Sequence, residues 1–451
     1  MIAVSCRNLW SEPTSRHETA IIRMRGRVVA GALRGPRLVR QGGRVAIGEG
    51  EHTAGVRRLG RLYATLRGCD EGVLFFPLFT LLMTDAGLST AELTTLLMIW
   101  GGVAFLLEVP SGAWADTFSR RRLLASGAVL RGIGFAVWFL WPTYPGFAIG
   151  FVLWGVRSAI SSGTKEALLY DELKALGAES RYTALAGRAA TVAMLTMLAA
   201  SALAAPAYAF GGYGLIAALS VLACLGSAAA ALALPERPRA RPVGQHGGVG
   251  AYLGNLRAGI AEVRTDRRVW HAVLIAAAVP SLTALDEYGA LLVRDLGVST
   301  AGVPLVIAAL IAAMALGSAL AERWRASPAA VGASIAAAGV ALAVGAGAGQ
   351  VWGLAPIAVC FGLLQLTRVL TEASLQHTMS GHTRATVLSV SGFGAELGAL
   401  GVYAAFGAGS LWLPIAPLAA LCAVPIVLVG VLAHRWLPAP AAPGRAAPEA
   451  A

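Results

Sequence analysis

The sequence predicts an all-α polytopic membrane protein, with twelve transmembrane helices in two six-helix bundles. Three observations carry that reading. Of the 451 residues, 57% are apolar and only 13% charged, about half the charged share of an ordinary soluble domain. The apolar residues come in blocks of roughly twenty, the length that crosses about 30 Å of hydrocarbon as a helix. Arginines gather in alternate gaps between the blocks, as they do in cytoplasmic loops. A soluble helical protein would need polar helix faces, and these blocks lack them.

In chain order, residues 1–61 hold twelve arginines and no long apolar run. They are expected as a basic, disordered cytoplasmic tail, with Met24 an internal alternative start. The segment lacks the apolar core of a cleavable signal. Spans are expected near 65–84, 93–113, 123–142, 146–168, 184–206 and 211–234, then 269–290, 303–320, 328–348, 353–375, 386–408 and 411–433. The first six form a bundle over 62–234 and the last six a bundle over 269–434. Between them, 235–268 opens with PERPRARPVGQHGGVG, is rich in Pro, Gly and Arg, and reads as a cytoplasmic loop. Residues 435–451 read as a second disordered cytoplasmic tail. Parallel six-span repeats build one common class of secondary transporter. An even count with basic inner loops places both termini in the cytoplasm and the chain in the plasma (inner) membrane. Trp138, Trp141 and Trp352 lie near span ends and read as interface anchors.

The net charge of +12 is almost all arginine, with Lys165 and Lys174 the only lysines. No basic face on a soluble module is present, so nucleic acid is not an expected partner. Cys6, Cys69, Cys224, Cys360 and Cys422 show no paired spacing, which argues against a metal centre or a disulfide framework. No phosphate-binding loop of the ATPase kind appears, and no cofactor is expected.

Residues 111–122, SGAWADTFSRRR, join the second block to three arginines through one aspartate. Gly112 is small enough to admit a neighbouring helix. Asp116 lies one helical turn on and Arg120 one turn further. An acid at this mouth pairs with a base or caps a neighbouring helix, stabilising one closed state. The stretch resembles the loop 2–3 signature of the major facilitator superfamily, G-x-x-x-D-x-x-G-R-R/K. Gly112 and Asp116 match, Arg120 and Arg121 supply the basic pair, and Ser119 stands where glycine is usual. The resemblance extends over about 62–434. Residues 157–173, RSAISSGTKEALLYDEL, are similar to bacterial members labelled drug or multidrug exporters, through Arg157, Gly163, Glu166, Ala167, Leu168, Tyr170 and Asp171. In the second half, GSALAERWR keeps Gly317, Glu322 and Arg323 but lacks the aspartate spacing. The resemblance implies two bundles that rock around a central cavity, with Arg157 and Arg368 in matching spans lining it.

A charge at mid-bilayer costs about 2.5–3.5 kcal/mol on insertion scales. Each charged residue inside a span is therefore a helix-joining ion pair or a working group. Asp70 and Glu71 fall in the first span, Glu108 in the second, Asp286 and Glu287 in the seventh, and Glu396 in the eleventh. Glu372 lies one turn past Arg368. Arg188, near the inner end of the fifth span, has Asp116 or Asp171 as its expected partner, and Glu108 is assigned to the same gate. Burial raises a carboxylate's pKa and a nearby arginine lowers it. An acid balanced between them can exchange a proton near neutral pH. Glu71, Asp286 and Glu396 lead for that role. Phe75, Phe76, Phe79, Trp154, Tyr288 and Tyr403 are candidate contacts for an apolar substrate, or packing residues.

The functional expectation is a proton-coupled secondary transporter that exports small organic or drug-like molecules by alternating access. The alternative is uptake, or sodium-coupled carriage, of a small organic anion held by Arg157 and Arg368. A membrane enzyme needs a nucleophile and base at one depth, and the histidines lie in loops or near span ends. The expected partners are the lipid bilayer, a small-molecule substrate and a proton, with the monomer as the working unit.

Overall fold

The computed structural model describes residues 49–237, 254, 257, 259–261, 263–324, 327–377 and 384–437, without the side chains of 49–52, 109, 113, 116, 377 and 384–386. The first half opens with α1 (Glu49–Glu71) and α2 (Phe79–Asp85), which share one crossing. It continues through α3 (Thr90–Thr117), α4 (Arg120–Leu140), α5 (Tyr144–Ser161) and α6 (Thr164–Ala175) to α7 (Tyr182–Ala233). α7 breaks at Gly212, where φ is 54°, and so supplies the fifth and sixth crossings. The second half begins with α8 (Arg267–Thr283), a 3-10 turn over Ala284–Tyr288 and α9 (Gly289–Asp295). Then come α10 (Val303–Ala321), α11 (Pro328–Gly347), α12 (Leu354–His377) and α13 (Arg384–Gly409). The last crossing joins α14 (Ile415–Leu421) to α15 (Ala423–Trp436).

Among the described residues, nine helical segments are long and apolar enough to cross a membrane. One of them, Glu179–Ala233, holds two crossings. The α1/α2 pair and α5 complete the twelve. Small residues set the closest approaches, as membrane helices require. A Cβ at Gly317 of α10 would lie 2.2 Å from the Gly362 carbonyl of α12.

The structure corrects three expectations. α1 starts at Glu49, ahead of the boundary drawn at 62. Leu59, Tyr63 and Leu66 recur at helical spacing and are buried against the first half, while Arg57, Arg58 and Arg61 face outward. The first span is also not one helix. Gly72 and Pro77 interrupt it, and the freed Phe75 N–H donates to Ser220 Oγ at 3.0 Å, which meets the rule that backbone polar groups inside a membrane find internal partners. Finally, Trp138 is no interface anchor. It is fully buried, and its indole N–H donates to the Phe147 carbonyl at 3.1 Å. Trp141 and Trp352 are exposed.

Both first crossings end on similar short sequences, LLMTDAGLST at 81–90 and LLVRDLGVST at 291–300, identical at six of ten positions. Gly87 and Gly297 close the two helices with φ of 96° and 97°, a conformation that glycine adopts without strain. This repeat marks the two halves as copies of one unit. With an even number of crossings, Glu49 and Trp436 lie on one face, here the terminal face; Asp85 and Asp295 lie on the far face. One hydrophobic core joins both halves and includes Leu81, Leu96, Leu291 and Phe406. Two further cores stay within single halves, one around Leu59, Leu168 and Ala231, the other around Val273, Leu375 and Val387. Among the described residues, the halves meet through the shared core at the far face, and the two single-half cores lie toward the terminal face.

Candidate functional site

The first half is organised around Asp70, near the end of α1 and 3% exposed. Its Oδ2 is 2.8 Å from Arg157 Nη2 and 2.9 Å from Lys165 Nζ. Its Oδ1 accepts from Ser227 Oγ at 2.6 Å and lies 3.8 Å from Arg131 Nη2. Four elements therefore converge on one carboxylate: α4, α5, α6 and the second part of α7. Local sequence explains part of this. Gly163, with φ of 70°, ends the fourth crossing and restarts the chain as α6, bringing Lys165 beside Asp70. Removing one partner from such a buried pair costs about 3–5 kcal/mol, because it strands a charge away from water.

At the terminal face, Arg120 and Arg121 open α4. Arg120 Nη1 meets Asp171 Oδ2 at 2.6 Å. An acid at the α4 N-terminus is Glu236, from just past α7. It accepts from the Arg120 N–H at 2.7 Å and from Ser119 Oγ, and lies 3.9 Å from Arg121 Nε. A carboxylate there satisfies unpaired N–H groups and meets the positive end of the helix dipole. The side chain of Asp116 lies outside the described residues. Gly112 has no neighbour within 4 Å of where a Cβ would stand among the described residues. Glu108 is half-buried on α3 and Arg188 is exposed on α7. Asp171, one of the two partners expected for Arg188, pairs instead with Arg120.

In the second half, Arg368 is 2% exposed, and its Nε donates to Glu372 Oε1 at 3.1 Å, one turn along α12. Asp286 and Glu287 sit in the 3-10 turn that breaks the seventh crossing. Glu287 is buried and Asp286 half-buried, with Arg368 and Glu287 within electrostatic reach of Asp286. Glu396 is half-buried on α13, and Tyr403 lies within reach of all three acids. In the first half, Glu71 and Glu166 are half-buried, both within electrostatic reach of the buried Arg67.

The far face carries a contact between the halves. Arg294 Nη1 reaches Asp85 Oδ1 at 2.5 Å, and its Nη2 donates to Thr84 Oγ1 at 2.6 Å. Asp85 also accepts from the Tyr213 hydroxyl at 2.6 Å. Deeper in, Thr94 and Tyr288 share a hydrogen bond of 2.9 Å, and Tyr288 stacks on Phe406 with ring centroids 3.8 Å apart. These groups form a latch on the side away from both described ends.

Sequence reading passed over Arg131, Lys165, Glu236 and Arg294 as working residues. Arg131 carried a usable signal, since it is a charge in the middle of the third apolar block. Lys165 is one of only two lysines in an arginine-rich chain. Nothing local in the sequence marks Glu236 as a cap.

Discontinuous crossings at equivalent places in two repeated halves, with buried charges at mid-span, are features of secondary transporters. Residues 63–402 match the sequence profile described as Major Facilitator Superfamily, and the chain belongs to that superfamily. Solved structures of the same fold include the nucleoside transporter NupG (13% identity, 85% of this chain and 98% of that one, TM-score 0.61). A D-xylose–proton symporter matches at 15% identity over 86% of this chain and 98% of its own, with a TM-score of 0.63. A bacterial homologue of the iron transporter ferroportin, in an inward-facing state, matches at 17% identity over 85% and 98%, with a TM-score of 0.60. No curated protein sequence matches the chain.

Proposed function

We propose that the protein is a proton-coupled carrier that exports small organic molecules across the plasma membrane, with both termini in the cytoplasm. The observation that carries the coupling is the adjacent pair Asp286–Glu287, held inside the membrane on a 3-10 turn with Arg368 in reach. Adjacent carboxylates in a low-dielectric site repel each other strongly. A proton taken up there changes the charge at the point where the seventh crossing is broken. Asp70 does not suit this role, because it already holds Arg157 and Lys165. Export rests on the likeness of residues 157–173 to bacterial exporters. A second reading, carriage of a small organic anion, draws support from the surplus of cations around Asp70.

The test is efflux of a lipophilic cation dye from an efflux-deficient bacterial host, with and without a protonophore. Efflux that needs the proton gradient and is lost in Glu287→Gln at equal expression supports export and the coupling site. Uphill uptake of an aromatic carboxylate, with no dye efflux, would replace export by the second reading.

A further inference from the structure

Buried donors without acceptors cluster at one place in the first half. Arg131 is wholly buried, and none of its three guanidinium nitrogens has an oxygen acceptor within hydrogen-bond distance among the described residues; its side-chain partners are the Cys224 thiol and the Phe135 ring, 6.0 Å away. Its contact with Asp70, at 3.8 Å, is an ion pair beyond hydrogen-bond reach. The Trp154 indole N–H, 5% exposed as a residue, has no hydrogen-bond partner among the described residues. Arg131 and Trp154 line the same cavity, which has room for about one water-sized group. Phe75, Phe79 and Phe135 are among its wall residues, and the carboxylates of Asp70 and Glu71 also line it. The thiol of Cys224 flanks Arg131, but a thiol is only a weak acceptor. An arginine and an indole have donors and no acceptors, so the missing partner is an acceptor.

The charge around this cavity has a sign. Arg67, Arg131, Arg157 and Lys165 face Asp70, Glu71 and Glu166, which leaves one positive charge in excess. A water molecule would satisfy donors and leave that charge. A monoanion would do both.

We propose that the cavity between Arg131 and Trp154 is a binding site for one small monoanionic group. The shared chemistry fits two sources: a free halide, or a single carboxylate carried by an organic molecule. The inference does not depend on the direction of transport or on the coupling ion, and its readout is binding rather than flux.

The experiment follows thermal unfolding of the purified full chain in detergent as sodium bromide replaces sodium gluconate at constant ionic strength, and separately as sodium benzoate is added. A ligand of the folded state raises the melting temperature with saturation. The expected result is a saturable rise with bromide, with benzoate or with both. Bromide alone identifies a free halide; benzoate alone identifies the carboxylate of an organic molecule. The rise is lost in Arg131→Gln. Trp154→Phe keeps the ring, removes the N–H and moves the midpoint to higher anion concentration. Glu71→Gln removes a competing negative charge and moves it lower. Absence of a saturable rise with either anion in wild type overturns the site, as does an unchanged rise in both Arg131→Gln and Trp154→Phe.

Discussion

Arg157 and Arg368 stand in matching crossings of the two halves, and both are almost fully buried. Arg157 binds an acid on another helix, Asp70 of α1, which Lys165 and Ser227 also hold. Arg368 binds Glu372, one turn along its own helix and a third exposed. The first arrangement ties four elements together and leaves its acid no room to change partner. The second pair lies along a single helix, and the acids Asp286, Glu287 and Glu396 stand nearby on two other elements. On the proposed function, the first half is the rigid one and the coupling acids lie in the second.

Asp70→Asn tests the rigid half most severely. It strands Arg157 and Lys165, and a loss of about 3–5 kcal/mol is expected, seen as a large fall in melting temperature or as failure to express. Stability close to wild type would mean that water or lipid headgroups already shield those cations.

Glu287→Gln and Asp286→Asn should leave folding near wild type but reduce gradient-driven transport at least tenfold, while exchange without a gradient persists. A parallel loss of exchange would place these acids in substrate binding instead of coupling.

Arg294→Ala removes the far-face latch. Because the pair is part-exposed, the expected effect is only about 1 kcal/mol, roughly a fivefold shift toward far-face opening. Labelling of a cysteine introduced at Ser299 should quicken accordingly; an unchanged rate would leave Tyr288 and Thr94 as the real closure.

The smallest effect is expected of Glu372→Gln, below about 1 kcal/mol, since its partner is on the same helix and the pair is partly solvated. A loss as large as that of Asp70→Asn would erase the contrast between the halves.

The crossings and their basic loops were legible because membrane spans are long, apolar and bounded by arginine. The break in the first span was legible in principle from Gly72 and Pro77. The site was less so. Asp70, Arg157, Asp286 and Arg368 stand out as charges in apolar blocks, but their pairing depends on which helices meet. Lys165 reaches Asp70 only because Gly163 redirects the chain, and Glu236 reaches Ser119 across more than a hundred residues. Sequence reading placed the gate's acid at Asp116 and the proton on Glu71 among others. The contacts seen add Glu236 as a cap of α4 and make Asp70 the centre of a cation cluster.

The most direct test is a distance measured across the far face as pH changes. Spin labels at Ala86→Cys and Ser299→Cys, in a chain without its native cysteines, report opening between the halves. Wild type is predicted to shift its distance distribution with pH. The Asp286→Asn, Glu287→Gln double variant should lose that shift, and Glu71→Gln should keep it. A shift that survives in the double variant but disappears in Glu71→Gln would contradict the account and move the titrating chemistry to the first half.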